Sequence, residues 1–328
     1  MIHSQLNELA DASGGTIEVT ELPLSDTERF SPKTAQVEKS SVREFKRHVP
    51  RDWRISSFSL ITAAQTAEMP DYDDIAPPKE EAEAATGIFA FPRGVRAGTC
   101  LHEILQNVDF TNLSSTAPHV VEDKLREHGL FTTEHAAAVA SMLNKVVTMP
   151  LVVGRKDFTL SRVPKLERMN ELEFYFPINK VAYPKLFECL ATLSARGMPP
   201  TQSGKITPEL VNGFLKGFVD LIFRLDGKFY IADWKSNWLG NSVGDYGNDT
   251  MRAEMDRHQY YLQYHLYTVA LHKYLALRLP GYDFEKHFGG VFYVFLRGLD
   301  PKHPELGIFR DRPTAETIHR LSEVLGNL

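Results

Sequence analysis

The sequence predicts an α/β domain in which helices flank a mixed central sheet. Residues 214–235 hold two β-rich runs around Asp226-Gly227, a dipeptide typical of a two-residue hairpin turn. Residues 290–296 (GVFYVFL) form an unbroken apolar run, which is typical of a strand buried on both faces. Apolar stripes with helical spacing lie before, between and after these strands, and this alternation favours helices packed on a mixed sheet.

The first 86 residues are predicted to form an arm that leads into the domain. Residues 1–50 are polar and only weakly periodic, and residues 51–65 (RDWRISSFSLITAAQ) form a short aromatic and apolar cluster. Residues 66–86 contain seven acids and one lysine, a composition typical of a solvated linker. The domain proper is therefore expected to span residues 87–328.

Within residues 87–328 the elements are predicted from hydrophobic spacing. The apolar stripe at residues 101–108 predicts a helix that begins at Thr99 or at the Gly98-Thr99 pair. The alternating run ELEFYFP, residues 171–177, predicts a strand. The remaining predicted elements are helices at residues 120–147, 185–195, 251–279 (ended by Pro280-Gly281) and 314–325.

Composition excludes several classes of protein. With 328 residues, 43% hydrophobic and 24% charged, the chain is typical of a globular protein and not of a collagen-like, wholly disordered or membrane-spanning one. Two cysteines cannot supply a disulfide framework or a four-thiolate cluster, and no secretion signal is evident, so we expect a cytoplasmic protein. The net charge is −5, of which residues 66–86 contribute −6, which leaves the rest at +1. Charge therefore neither demands nor excludes a nucleic-acid partner.

The hairpin carries the strongest chemical signal. If its turn has two residues, Leu225 faces Lys228. The same register makes Asp220 and Asp233 direct cross-strand neighbours, about 4.5 to 5.5 Å apart at Cβ. A divalent cation such as Mg²⁺ or Mn²⁺ would turn their repulsion into coordination, and Lys235, on the same strand face as Asp233, could stabilise a developing anion. The alternative is that both aspartates are solvated strand-end residues with Lys235 as their salt-bridge partner.

Six stretches of the sequence resemble one family of nucleases. They are FPRGVRAGTCLHEIL, ELEFYFPI, GFLKGFVDLIF, YIADWKSNWLG, LQYHLYTVALHKYL and HFGGVFYVFLRGLD. In this order they resemble the C-terminal nuclease domain of the RecB-type beta subunit of exonuclease V, the bacterial RecBCD helicase–nuclease, within the PD-(D/E)XK superfamily. The resemblance covers residues 87–328 and implies a restriction-endonuclease-like core. The segment WRISSFSL is similar to the stretch that enters this domain from the helicase part, so the chain looks like a fragment of a longer subunit.

The resemblance also implies which residues form the active site. The family's metal-binding histidine, in a GTxxH motif, falls on His102, and its two metal-binding aspartates fall on Asp220 and Asp233. Taken alone, His102 is more typical of a surface or satisfied core histidine. The family's catalytic lysine falls on Lys235. The resemblance further implies that the main-chain carbonyl of Trp234 is a metal ligand. Gln263 and Tyr267 match a motif of the following helix, share one face of it, and are expected to support the lysine or position the strand. Glu173 matches a recurrent glutamate of the family.

By this resemblance the chain is expected to be a Mg²⁺-dependent deoxyribonuclease of the exodeoxyribonuclease V type, with Mn²⁺ or Ca²⁺ able to occupy its metal site. It would hydrolyse phosphodiester bonds, above all in single-stranded DNA. The expected setting is an ATP-dependent helicase–nuclease that serves recombinational double-strand break repair and degrades linear DNA. The implied partners are DNA, RecC-like and RecD-like subunits and the helicase part of the full-length chain, with no membrane.

Three further points concern the function that the sequence predicts. Ser203-Gly204-Lys205 lacks the rest of a phosphate-binding loop, so we expect no ATPase in these residues. One alternative function is a non-catalytic docking module of the same complex with a vestigial metal site. Another is a different metal hydrolase, such as an RNase or a phosphatase.

Overall fold

The computed structural model describes residues 2–21, 53–57, 85–182 and 210–326. The chain divides into two compact units, Met1–Val49 and Pro50–Leu328. In the described part of the first unit, helix α1 (Ile2–Ala12) buries none of its side chains. Among the described residues, no helix combines the length and the apolar character needed to cross a membrane. The predicted helix at residues 185–195 and the segment at residues 203–205 lie outside the described residues, and the predicted domain boundary after residue 86 stays a prediction.

The described residues of the second unit form a six-stranded mixed sheet. β3 is antiparallel to β2 and β4 and parallel to β1, and β5 is parallel to β4 and antiparallel to β6. β2 pairs with β3 along almost the whole of one edge of β3. The other edge of β3 is shared: β1 lies beside its first half and β4 beside its second half. The strands are β1 (Trp53–Ser57), β2 (Arg168–Ala182), β3 (Leu210–Leu225), β4 (Lys228–Lys235), β5 (Phe288–Phe295) and β6 (Ile308–Asp311).

Helices pack on both faces of the sheet, and the sheet separates the apolar core into two clusters. The first cluster lies between one face and helices α2 (Val95–Asn107), α3 (Leu113–Glu127) and α4 (Thr133–Thr148). The second cluster lies between the other face and α5 (Asn248–Arg257), α6 (Tyr260–Arg278), the single turn α7 (Phe284–His287) and α8 (Ala315–Leu325). Alternate residues of β4 and β5 enter the two clusters, as expected for strands buried on both faces. The predicted α/β fold with a mixed sheet is confirmed, and the arrangement is consistent with a restriction-endonuclease-like core.

The first helix of the domain begins earlier than the sequence predicts. α2 starts at Val95 and not at Thr99. Gly94, which precedes it, has a φ of 91°, and its carbonyl accepts hydrogen bonds from the N–H groups of Ala97 and Gly98. A left-handed glycine therefore starts this helix, and no side-chain cap marks the position in the sequence.

Two predicted single helices are each a pair. The span predicted at residues 120–147 is divided because Gly129 (φ 61°) follows the end of α3, and the Thr132 hydroxyl caps α4 by accepting from the His135 N–H at 3.0 Å. The span predicted at residues 251–279 is divided at Gln259, whose φ of 57° is left-handed. After this break α6 begins with Tyr260 fully inside the second cluster.

Candidate active site

The hairpin between β3 and β4 has the predicted two-residue turn. Leu225 pairs with Lys228, and Asp226 and Gly227 have φ values of 50° and 79°. Two successive positive φ values are what a turn of type I′ requires. The predicted register is therefore confirmed at the turn.

The same register does not reach the two aspartates. Pairing between the strands ends at Leu221 and Ala232, one step short of Asp220 and Asp233, so the expectation that these two residues form a direct cross-strand pair is wrong. Asp220 Oδ2 instead accepts a hydrogen bond of 2.8 Å from the main-chain N–H of Trp234. The Asp220 side chain thus accepts the hydrogen bond of the Trp234 N–H at the point where the two strands separate.

The face alternation of β3 shifts at Asp220. Val219 and Ile222 both enter the second cluster, whereas Leu221 enters the first, so strict alternation is interrupted between residues 219 and 222. Glu171, which lies opposite Asp220 on β2, has a φ of 47°. Local irregularities of this kind re-aim a side chain beside many active sites. Here the irregularity directs the Asp220 carboxylate toward α2.

His102 of α2 meets this carboxylate. Its Nδ1 lies 3.5 Å from Asp220 Oδ1, and both side chains are mostly buried. Burial by itself would lower the pKa of His102, but Asp220, and to a smaller extent Asp233, raise that pKa above its ordinary value. Burial would likewise raise the pKa of Asp220, and the opposing effects of His102, the Trp234 N–H and Lys235 lower it. The pocket around His102 and Asp220 therefore has a negative potential, and its effect on the His102 pKa outweighs that of burying a charged imidazole.

Asp233 and Lys235 form a second, deeper pair. Lys235 Nζ lies 2.8 Å from Asp233 Oδ1, and the two side chains are only 3% and 4% exposed. The ammonium also lies 3.7 Å from the centroid of the Tyr260 ring and 5.2 Å from that of Tyr293. Two aromatic rings and a carboxylate thus hold one ammonium in a site that excludes water.

The predicted residues of α6 lie next to this lysine. Lys235 Nζ donates to Gln263 Oε1 at 3.3 Å, and the Tyr293 hydroxyl donates to the same oxygen at 2.8 Å. Gln263 Nε2 in turn donates to the Tyr267 hydroxyl at 3.2 Å. Because the ammonium is tied to Gln263 on one side and to Asp233 on the other, its position is determined from two elements of the fold.

Two tyrosines of this network are absent from the sequence prediction. Tyr260 is the first residue of α6, and Tyr293 stands in the middle of the apolar run GVFYVFL. Both are fully buried, and a buried phenol needs a hydrogen-bond partner. A tyrosine inside such an apolar run was the signal available in the sequence, but its partner could not be named without the fold.

The two remaining predicted residues take different positions. The Trp234 indole is buried and meets the Phe110 ring edge-on, with centroids 6.5 Å apart, so only its main chain is available to a metal. Glu173 does not join the carboxylate pocket. It is exposed, lies 2.6 Å from Lys216 Nζ and accepts from the Tyr175 hydroxyl at 3.0 Å.

The donor set fits a divalent cation in its chemistry. Within the described ranges, no three His, Cys, Asp or Glu side chains are already gathered as a metal-binding group. The pocket nevertheless offers two carboxylates, Asp220 and Asp233, which are the type of ligand that Mg²⁺ and Mn²⁺ prefer, with the His102 imidazole beside them. The charges of Asp220 and Asp233 raise the pKa of His102, as two carboxylates beside an imidazole do. A cation is therefore the expected complement of the pocket.

In comparison with known proteins, the chain is similar in sequence to one kind of subunit. No protein-family model matches the sequence. The chain is 37% identical to the RecBCD enzyme subunit RecB of Escherichia coli K12 over 285 residues, which is 84% of this chain and 23% of that protein. It is 32% identical to the Haemophilus influenzae RecB subunit over 305 residues, 86% of this chain and 24% of that protein. With the Mycolicibacterium smegmatis subunit it shares 30% identity over 360 residues, 96% of this chain and 33% of that protein. The chain thus spans only 23% to 33% of the length of these curated relatives.

Proposed function

Because this chain belongs to the RecB family over the segment that it shares with those subunits, we propose that it is the metal-dependent DNA-hydrolysing domain of a RecB-like subunit. One observation carries the proposal. The pairs His102–Asp220 and Asp233–Lys235 lie where β3 and β4 part, in a mostly buried pocket of negative potential. A metal-dependent hydrolase of phosphodiesters needs such a pocket for its cation, and an ammonium beside it can stabilise the developing charge.

Each residue of the pocket has a proposed task. His102, Asp220, Asp233 and the main-chain carbonyl of Trp234 would hold Mg²⁺, with Mn²⁺ or Ca²⁺ as possible occupants. When bound, the ion polarises the phosphate and lowers the pKa of a water molecule. Lys235 lies beside Asp233 and can neutralise charge on the phosphate oxygens or orient the attacking water, since an ammonium donates in three directions.

The residues around Lys235 act on its position. Gln263 accepts from the ammonium, and Tyr267 and Tyr293 fix the orientation of the Gln263 amide. With two aromatic rings close to it, the ammonium cannot swing away from the pocket without losing cation–π and hydrogen-bond contacts. Gln263 and Tyr267 are therefore assigned as positioning residues.

The relatives support the setting that we propose for the reaction. They are named as subunits of the RecBCD enzyme, and this chain corresponds to only part of their length. We therefore assign it to an ATP-dependent helicase–nuclease of the cytoplasm that serves recombinational repair and degrades linear DNA, without ATPase activity of its own. RecC-like and RecD-like subunits and a helicase part would deliver single-stranded DNA to the pocket.

A nuclease assay on end-labelled linear single-stranded DNA tests the proposal. The wild type is compared with Asp233→Ala and Lys235→Ala, each with Mg²⁺ and with EDTA, and circular dichroism verifies that each variant is folded. Asp157→Ala serves as a matched control, because Asp157 is an exposed aspartate. We expect metal-dependent cleavage that both pocket variants lose and the control keeps.

Three other outcomes would change the assignment. Cleavage that survives both pocket substitutions would refute the assigned site. A folded wild type that binds metal but cleaves no DNA would favour the non-catalytic docking module. Cleavage of RNA or of a phosphomonoester in preference to DNA would move the activity to another metal hydrolase.

A further inference from the structure

Part of the sheet face that carries Asp220 is exposed. Phe218 precedes Asp220 by two residues on β3, and its side chain is 47% exposed. On β2, Tyr175 is 48% exposed, and on β1, Ile55 is 57% exposed. These are large side chains to leave in water on a sheet that helices cover elsewhere.

The register places these side chains on one surface. Tyr175 pairs with Lys216 and Glu173 pairs with Phe218, so the two rings are diagonal cross-strand neighbours, about 7 to 8 Å apart. The intervening residues point the other way, since Phe174 meets the Tyr267 ring edge-on with centroids 5.7 Å apart. We call Tyr175, Lys216 and Phe218 the aromatic platform.

A charged group lies between the two rings. Lys216 Nζ is 5.3 Å from the Tyr175 ring centroid and 5.0 Å from that of Phe218. Glu173 holds this ammonium at 2.6 Å and also accepts from the Tyr175 hydroxyl. Glu173, which was predicted as a site residue, therefore fixes the positions of Lys216 and Tyr175 in the platform. It lies outside the pocket around His102 and Asp220.

We propose that the aromatic platform stacks the bases of single-stranded nucleic acid whose backbone continues to Asp220. The inference rests on the proposed function and extends it to the residues that hold the substrate. Flat rings stack on any base, and the Lys216 ammonium has three donors, so it can bind a phosphate while it is held by Glu173. Phe218 is about 7 Å from Asp220 along the strand, which is about two nucleotide steps of a stacked strand. Bases held at the platform would thus present a nearby phosphodiester to the pocket.

The composition of the surface favours nucleic acid over a protein partner. The cores of protein interfaces are depleted of lysine and glutamate, whereas Lys216 and Glu173 stand in the middle of this surface. A docked protein would have to bury that ion pair. A nucleotide strand needs only to bring a phosphate to the ammonium and a base to each ring.

The test measures binding without cleavage. The 328-residue chain is titrated into a fluorescent oligo-dT in EDTA, and anisotropy gives the dissociation constant. Tyr175→Ala and Phe218→Ala are each expected to weaken binding by roughly 5- to 150-fold. Phe218→Leu keeps an apolar side chain without a stacking ring, so it should behave like Phe218→Ala. Tyr274→Ala, which removes a partly exposed tyrosine of α6, serves as the control and should bind as the wild type does.

An oligonucleotide of abasic sites separates stacking from a merely structural effect. The wild type should lose affinity when the bases are absent, whereas the platform variants should bind the abasic and normal strands almost equally. Variants that bind oligo-dT like the wild type, or a wild type that binds abasic and normal strands equally or neither of them, would overturn the inference. Unchanged DNA binding with loss of binding to a protein subunit would reassign the surface to a protein partner.

The result is separable from the proposed function. Metal-dependent cleavage by the wild type, together with platform variants that bind normally, would refute the base-stacking proposal and leave the nuclease assignment intact. Base-dependent binding that the platform variants lose, in a wild type that never cleaves with Mg²⁺, would support the platform and sink the nuclease assignment.

Discussion

Replacing Lys235 with methionine should destabilise the protein strongly, because Asp233 would be left buried without its cation. The two charged atoms lie 2.8 Å apart and both side chains are almost fully buried. At an effective dielectric constant of about 20, their attraction is about 6 kcal/mol, which offsets the several kcal/mol that desolvation of each ion costs. Removal of one partner from such a pair typically costs about 3 to 5 kcal/mol. For a unit of this size the melting temperature should fall by roughly 6 to 20 °C.

A double-mutant cycle measures this coupling. Lys235→Met, Asp233→Asn and the double variant are unfolded in urea at 25 °C without metal, and circular dichroism follows the transition. Because the second substitution removes the stranded charge, the double variant should be about as stable as either single variant. The expected coupling energy is about 3 kcal/mol. Lys286→Met, at an exposed lysine 4.0 Å from Asp283, is the control and should change stability by less than about 1 kcal/mol.

The cycle can refute the structural reasoning directly. If each single variant loses less than about 1 kcal/mol, the pair is solvated and the pocket is not the closed site described above. Additive effects would have the same meaning. The result also guards the nuclease assay, since a loss of activity in Lys235→Ala counts as chemistry only where the variant remains folded.

Three further predictions concern the scaffold. Burial lowers the pKa of His272 from its ordinary 6.5 to about 4, so the unfolded state binds more protons than the folded state between these pH values. The free energy of unfolding should therefore fall by up to about 3 kcal/mol as the pH drops from 6.5 to 4. Urea titrations at several pH values should show a smaller fall in His272→Phe. Thr314→Ala removes the cap of α8 and should cost about 1 kcal/mol in urea unfolding, with Thr314→Ser as the control that keeps the hydroxyl. Arg297→Met removes the guanidinium hydrogen bonds to four main-chain carbonyls, among them that of Ser236 next to Lys235. A loss of less than about 3 kcal/mol in the same assay would contradict this anchoring role.

The local elements of the fold were readable from short stretches of sequence. The Asp226-Gly227 turn, the strand at GVFYVFL and the last helix each depend on the period or the turn chemistry of a few neighbouring residues, and the structure confirms all three. Short or punctuated elements were harder to predict. β6 has only four residues, and the break at Gln259 follows from a left-handed backbone that no proline or glycine announces.

The candidate site divides in the same way. The residue types and spacing of Asp220, Asp233 and Lys235 suggested metal chemistry in the sequence alone, and a resemblance added His102. Only the folded chain shows that pairing stops before the two aspartates and that Asp220 binds the Trp234 N–H.

The same limit applies to the contacts that join distant parts of the chain. Gln263 and Tyr293, from α6 and β5, meet Lys235 because two helical layers close on one sheet, and the aromatic platform stays exposed because no described helix covers that part of the sheet. Turn type and hydrophobic period are set by neighbours along the chain. Which side chains meet is set by the packing of elements that lie far apart in sequence, and the tertiary structure alone decides that.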